Sequence, residues 1–194
     1  MTLHGAIPPI VEPARYFAKL GVAEDAFRAQ QAQLKPVQAA AGTVLLAQGQ
    51  YQHHAYLVQE GLIRACHYRE DGTERCKEFY FPGELCLLYN SWLSGVPAAY
   101  QLETLDAVTA LRLPLSVLEA PGWQAARLAL LQRQLLYKEQ KEAFLLLNSP
   151  EQRYRHLCRH APHWLTQLNQ VQLANYIGIS PISLSRLRRR INQG

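Results

Sequence analysis

The chain has 194 residues, 48% of them apolar and 18% charged, the balance of an ordinary globular protein and not of a disordered one. No run approaches the roughly 20 apolar residues of a membrane-spanning helix, so one large domain or two small ones are expected, without a membrane partner. The net charge of +5 is unevenly spread: residues 148–194 hold seven arginines (153, 155, 159, 186, 188, 189 and 190) and one acid, Glu151, for +6, and residues 1–147 sum to −1.

Each phosphate that a basic segment neutralises releases bound counterions, so this asymmetry points to a polyanion partner, against the plainer alternative of a solvated basic tail. The opening stretch MTLHGAIPPIVEPARYF lacks a positive start followed by an apolar core. No secretory signal is therefore expected, and a cytoplasmic location follows by default.

The elements follow in chain order. Val11 to Leu34 reads as short helices, with apolar residues at spacings of three and four, an interruption at Gly21 and a stop at Pro36. From Val37 to Leu115 the period changes to two. Turn signals recur at Gly42, Gly49, Gly61, Asp71-Gly72, Pro82-Gly83, Gly95-Val96-Pro97 and Leu105-Asp106, which suggests a small barrel or sandwich.

Ile63 to Phe81 reads as a hairpin turning at Asp71-Gly72. A two-residue turn there sets Cys76 opposite His67, so that Cys66 and Cys76 point to opposite faces and do not bridge. The four cysteines (66, 76, 86 and 158) lie at gaps of 10, 10 and 72, without the spacing of a structural zinc site. They are expected to be mostly buried or idle thiols in a reducing compartment, unless some meet in space or one senses oxidants.

Beyond Pro121-Gly122 the text is helical for about 25 residues. One stripe runs through Leu128, Leu131, Leu135, Lys138, Glu142 and Leu145, and a second through Leu130, Tyr137, Lys141 and Phe144. Two apolar stripes let the helix pack on its own domain and still have surface to bury, and a dimer seam is the natural use. The alternative is one wide stripe packed on the strands. Ser149-Pro150 then reads as N-cap and first turn of a new helix, where the composition turns basic.

Gln170 to Leu187 fills the positions that a helix-turn-helix requires. Leu173, Ile177, Ile179, Leu184 and Leu187 form a shared core, and Ala174 is small where the helices touch. Gly178 supplies a left-handed helix end, and Ser180 with Pro181 starts the next helix. With Leu184, Leu187 and Ile191 turned inward, the outward face carries Ile182, Ser183, Ser185, Arg186, Arg189 and Arg190. Arg186 is expected to read guanine through its paired donors. Arg188, Arg189 and Arg190 are expected on phosphates, and the amides of Ser180 to Ser183 form an anion-binding helix start.

This order of parts resembles the Crp–Fnr family of transcription regulators. The likeness rests on Gly49, Tyr56 to Gly61, Asp71-Gly72, Phe81 to Leu85, Gly95-Val96-Pro97 and Glu103 to Asp106. In the last domain it rests on Arg153-Tyr154 and on Leu184 to Arg188. The resemblance implies an α+β fold: an N-terminal cyclic-nucleotide-binding-like β-roll with flanking helices over 1–120, a long dimerisation helix over 121–147 and a helix-turn-helix domain over 148–194. It also implies a homodimer on palindromic double-stranded DNA, with RNA polymerase as a further partner, and no enzyme activity.

In nucleotide-binding members the turn after Gly-x-Pro brings an arginine and a small hydroxyl residue to the cyclic phosphate. Ala98 and Ala99 stand there in this chain and offer neither charge nor side-chain donor. Gly83, Glu84 and Leu85 complete the effector pocket that the resemblance implies, but Glu84 alone repels an anion. The sensor is therefore not expected to hold cyclic nucleotide in the usual way. Another small effector, or an interior closed by Leu87, Leu88, Tyr89 and Trp92, is expected instead. No cysteine cluster for iron–sulfur sensing is present, and nothing points to haem. The family's β-wing has no residues before the end at Gln193-Gly194.

Two other classes compete. A cupin-type metalloenzyme is suggested by His53, His54, Glu60 and His67, but adjacent strand residues face opposite ways and the His-x-His spacing is absent. The remaining alternative keeps the fold as a ligand-binding module, cyclic-nucleotide-responsive or not, that does not bind DNA.

Overall fold

The computed structural model describes residues 12–192. Much of the stretch read for a secretory signal, and the chain end at Gln193-Gly194, lie outside the described residues. Helix α1 (Pro13–Ala18) begins at Glu12, whose carboxylate accepts from the amides of Ala14 and Arg15. Helix α2 (Glu24–Gln31) follows with Phe27 buried.

Eight strands come next: β1 (Lys35–Ala39), β2 (Val44–Leu46), β3 (His54–Glu60), β4 (Ile63–Tyr68), β5 (Glu74–Tyr80), β6 (Leu85–Cys86), β7 (Gln101–Thr104) and β8 (Val108–Pro114). They form two antiparallel four-stranded sheets, in the orders β1-β8-β3-β6 and β2-β7-β4-β5. The expected β-roll is there. Two short helices were not anticipated: α3 (Tyr89–Ser94) lies inside the stretch read as strands, and α4 (Leu115–Leu118) begins at its last residue. Fewer than two turns are too short to display a period of 3.6.

Strand β3 shows how the layers are built. Tyr56 and Val58 turn into the space between the sheets, where they meet Ile63, Ala65, Leu88, Ala98, Tyr100 and Leu102. Ala55 and Leu57 turn the other way, onto Phe17, Trp123 and Leu130. Both faces of this strand are covered, so four consecutive residues are buried and its apolar run is continuous instead of alternating. Trp123 anchors the outer layer: its indole N–H donates to the carbonyl of Ala26 at 3.2 Å, and its ring lies 4.8 Å from that of Phe17.

The β4–β5 hairpin departs from the two-residue turn. The Arg69 amide bonds to the Thr73 carbonyl at 3.0 Å, leaving a three-residue loop, Glu70-Asp71-Gly72, with Gly72 at φ +77°. A left-handed third residue is the usual requirement of such a loop. The longer loop shifts the register by one, so that Cys66 lies opposite Cys76 and His67 opposite Arg75. A bulge at Lys77 then restores the shorter register, with Ala65 opposite Glu78. The expectation that Cys66 and Cys76 point to opposite faces is therefore wrong.

Helix α5 (Gln124–Leu147) runs for 24 residues. The chain separates into two compact units whose boundary falls within this helix, between Arg133 and Gln134. Its first part buries Ala126 and Leu130 in the outer layer of the strand unit. In the second unit Phe144 packs 5.2 Å from the ring of His156 on helix α6 (Pro150–His160). Helices α7 (Trp164–Gln167), α8 (Gln170–Ile177) and α9 (Pro181–Asn192) complete that unit.

Candidate nucleic-acid interface

The helical unit is assembled from local signals that agree with one another. Ser149 accepts from the amide of Gln152, whose side chain answers the Ser149 amide, and Asn169 with Gln172 repeats the arrangement at the start of α8. The second capping box is legible in the sequence as Asn-x-x-Gln but was not read. Gly178, at φ +80°, ends α8. A Cβ at that glycine would also stand 3.3 Å from a guanidinium nitrogen of Arg153. Ser180 caps α9, accepting from the Ser183 amide at 3.1 Å.

Leu173, Ala174, Ile177, Leu184 and Leu187 are all buried between the helices, while Ile179 and Ile191 are partly so. Sequence reasoning missed the rest of this core. Trp164 is fully buried and meets Tyr176 edge-on at 4.6 Å, with Tyr154, Leu157 and Leu168 also buried. The side chain of Gln170 donates to the Pro181 carbonyl at 2.7 Å, tying the start of α8 to the start of α9.

Arg153, quoted for its place in a family pattern, is the structural hub. Its guanidinium donates to the carbonyls of Leu145 (2.5 Å), Ile177 (2.7 Å) and Asn148 (3.0 Å). It therefore satisfies the carbonyl ends of α5 and α8 at once, which no short-range cap does.

Most of the α9 face drawn from the sequence is exposed, and Arg188, outside that face, is exposed as well. Ile182, Ser183, Arg186, Arg189 and Arg190 are exposed, and Ser185 is half-buried. Among the described residues no carboxylate pairs with Arg186 or Arg189. Arg190 forms an ion pair with Glu151 at 2.6 Å, and Glu151 also holds Arg155 at 3.0 Å. These two partners keep the Glu151 carboxyl below the usual carboxylate range. The arginines thus differ: Arg186 and Arg189 stand open, and Arg190 has a partner within the unit.

In the strand unit the residues of the implied effector pocket do not share one environment. Ala98 is buried between the sheets, and Ala99 is exposed with its carbonyl 2.9 Å from a ring nitrogen of His67. Leu85 faces the outer layer, and its neighbour Cys86 faces the interior. The Glu84 carboxylate accepts from the Phe81 amide at 2.9 Å, spanning its own turn around Gly83. Of the four residues expected to close the interior, only Leu88 lies between the sheets; Leu87, Tyr89 and Trp92 pack in the outer layer. Tyr56, Tyr100 and Leu102 fill the interior beside Leu88. Among the described residues no group of His, Cys, Asp or Glu is placed to hold a metal ion, and no described helix is long and apolar enough to cross a membrane.

The chain thus carries a β-roll, a long helix and a capped helix-turn-helix. Residues 36–120 match the cyclic nucleotide-binding domain family. No curated protein matches the chain in sequence. Among solved structures, the chain is similar to FixK2 from Bradyrhizobium japonicum (TM-score 0.71, 16% identity, covering 82% of this chain and 85% of that one). It is also similar to CLP, described as a c-di-GMP-responsive global regulator of Xanthomonas campestris (0.67, 15%, covering 88% and 92%). A third likeness is to the catabolite activator protein of Thermus thermophilus (0.52, 23%, covering 89% and 85%). Residues 36–120 thus form a domain of the cyclic nucleotide-binding type, and the likenesses over most of the chain show the fold that the resemblance to the Crp–Fnr regulators implied.

Proposed function

We propose that this protein is a cytoplasmic transcription regulator that binds a twofold-symmetric DNA site as a homodimer and acts by binding, not by catalysis. The observation that carries this reading is the exposed face of α9, where Arg186 and Arg189 stand without carboxylate partners next to the Ser180–Ser183 helix start. An arginine near that start can reach the O6 and N7 of guanine with two parallel donors, while the later arginines contact phosphates. The +6 charge of residues 148–194 supplies the non-specific attraction. Homodimerisation is supported by the first stripe of α5, where Leu128 and Leu135 are 57% and 63% exposed, while Leu130 and Phe144 of the second stripe are buried. A copy of the same helix would cover those leucines. RNA polymerase is a candidate further partner.

The sensor half has a packed interior with Ala98 where a cyclic phosphate would need a charged donor. We assign it no cyclic nucleotide; an effector, if one binds, is a different small molecule. A genome-wide binding selection should return a palindrome with half-sites about one helical turn, roughly 34 Å, apart, and no enriched palindrome would overturn the reading. Arg186→Ala should lose about 1–3 kcal/mol of discrimination at one position in each half-site. An unchanged motif would remove Arg186 from base reading.

A further inference from the structure

We propose that Cys66 and Cys76 form a dithiol site that a hydroperoxide converts reversibly to a cross-strand disulfide. The two residues are directly opposite on β4 and β5. Opposed residues of an antiparallel pair have Cα atoms about 4.5–5.5 Å apart, inside the roughly 4.4–6.8 Å that a disulfide spans. This juxtaposition exists because the three-residue loop and the Lys77 bulge confine a register shift to the stretch that carries both cysteines.

The surroundings divide the labour between the sulfurs. Cys66 is buried, two residues from both Arg64 and Tyr68 on its own strand and opposite Gln101 on β7. The Cys76 hydrogen bond lowers the Cys66 thiol below its ordinary pKa, Arg64 adds to that, and burial with Glu74 and Glu103 opposes it only in part. Cys76 is half-exposed. By contrast Cys86, in the packed interior, has its thiol pushed well above the ordinary value by burial, and so has little thiolate.

Cys76, the more exposed of the two, gives up its proton and attacks the terminal oxygen of the peroxide. The O–O bond breaks, an alcohol or water leaves with the proton, and Cys76 becomes a sulfenic acid. The Cys66 thiolate then attacks that sulfur, the S–S bond forms and hydroxide leaves, taking up a proton as water. In sum, two thiols and one hydroperoxide give one disulfide, one alcohol (or water) and one water. A transient disulfide of this kind is the form expected of a sensing site in a reducing compartment.

The test uses the reduced full-length protein and hydrogen peroxide, followed by unfolding, alkylation and peptide mass mapping. Residues 66 and 76 should lose alkylation together and appear as one linked peptide pair lighter by two hydrogens, and a thiol reductant should restore both. Cys86 and Cys158 should remain alkylated. In Cys66→Ser the reaction should stop at a Cys76 sulfenic acid that dimedone traps, and in Cys76→Ser residue 66 should stay reduced. Persistence of both thiols in the wild-type chain, a bridge to Cys158, or direct overoxidation without a bridge would overturn the proposal. A missing dimedone adduct in Cys66→Ser would overturn Cys76 as the point of entry.

Discussion

The two units handle arginine in opposite ways. In the β-roll, the Arg64 side chain is 16% exposed and each of its three nitrogens donates to protein: Glu103 at 2.5 Å, Glu74 at 3.0 and 3.1 Å and the Tyr68 hydroxyl at 3.3 Å. In the helical unit Glu151 is the sole acid after residue 147, and it occupies Arg155 and Arg190 while Arg186 and Arg189 project from α9. Arg153 is the exception, with its guanidinium directed to three backbone carbonyls. A guanidinium enclosed by fixed acceptors holds architecture together, and one left in solvent is available to an external anion.

Substitution breaks this contrast in a graded way, and hydrogen exchange read region by region suits a chain of two units. The largest effect is expected from Arg153→Ala. Three charge-assisted bonds to backbone carbonyls are lost and helix ends are left unsatisfied, for about 3 kcal/mol. Protection should fall across 134–192 and hold over 35–114; equal loss in both would show that the units do not unfold separately.

Arg64→Ala should cost about 2 kcal/mol in the strand unit, less than the roughly 3–5 of a wholly buried pair. Its effect depends on pH through Glu103. Burial raises that carboxyl, but hydrogen bonds from Gln101, Arg64 and Tyr68 prevail and hold it below the ordinary value. A depressed carboxylate stabilises the fold above its unfolded pKa, and the stabilisation is lost as the pH falls through the folded value. The gap between wild type and Arg64→Ala should therefore be full at neutral pH and shrink in that acid range. A constant gap would remove Glu103 from the pair.

Ser180→Ala deletes the cap of α9 and should cost about 1 kcal/mol, read as faster exchange in the first turn of that helix. The smallest effect on stability is expected from Arg186→Ala and Arg189→Ala together, within about 0.5 kcal/mol. The same pair should weaken DNA binding and flatten its dependence on salt. A large loss of stability would place these arginines with Arg64 instead of with the partner.

The helix-turn-helix was legible because its signals are local. Gly178, Ser180 and Pro181 act within one turn, and Leu173, Ile177, Leu184 and Leu187 keep a helical spacing that survives in the fold. The strands were legible as a region from their turn signals, although α3 was not separated from them and α4 was not anticipated. The hairpin register was not, since Asp71-Gly72 suits a two-residue turn and a three-residue loop equally well. Nor was the separation of Leu85 from Cys86, which belong to different layers of the sheet unit.

Alone, the amino-acid sequence determined where the helices of the basic segment begin and end, which face of α9 is polar, and that positive charge gathers there. Caps, periodicity and composition act over a few residues and need no distant partner. Only the tertiary structure decided that Cys66 meets Cys76, that Arg153 bridges α5 and α8, and that Arg190 answers Glu151 while Arg186 stays open. Those outcomes depend on register and packing between segments far apart in the chain, where a shift of one residue turns a side chain to the other face.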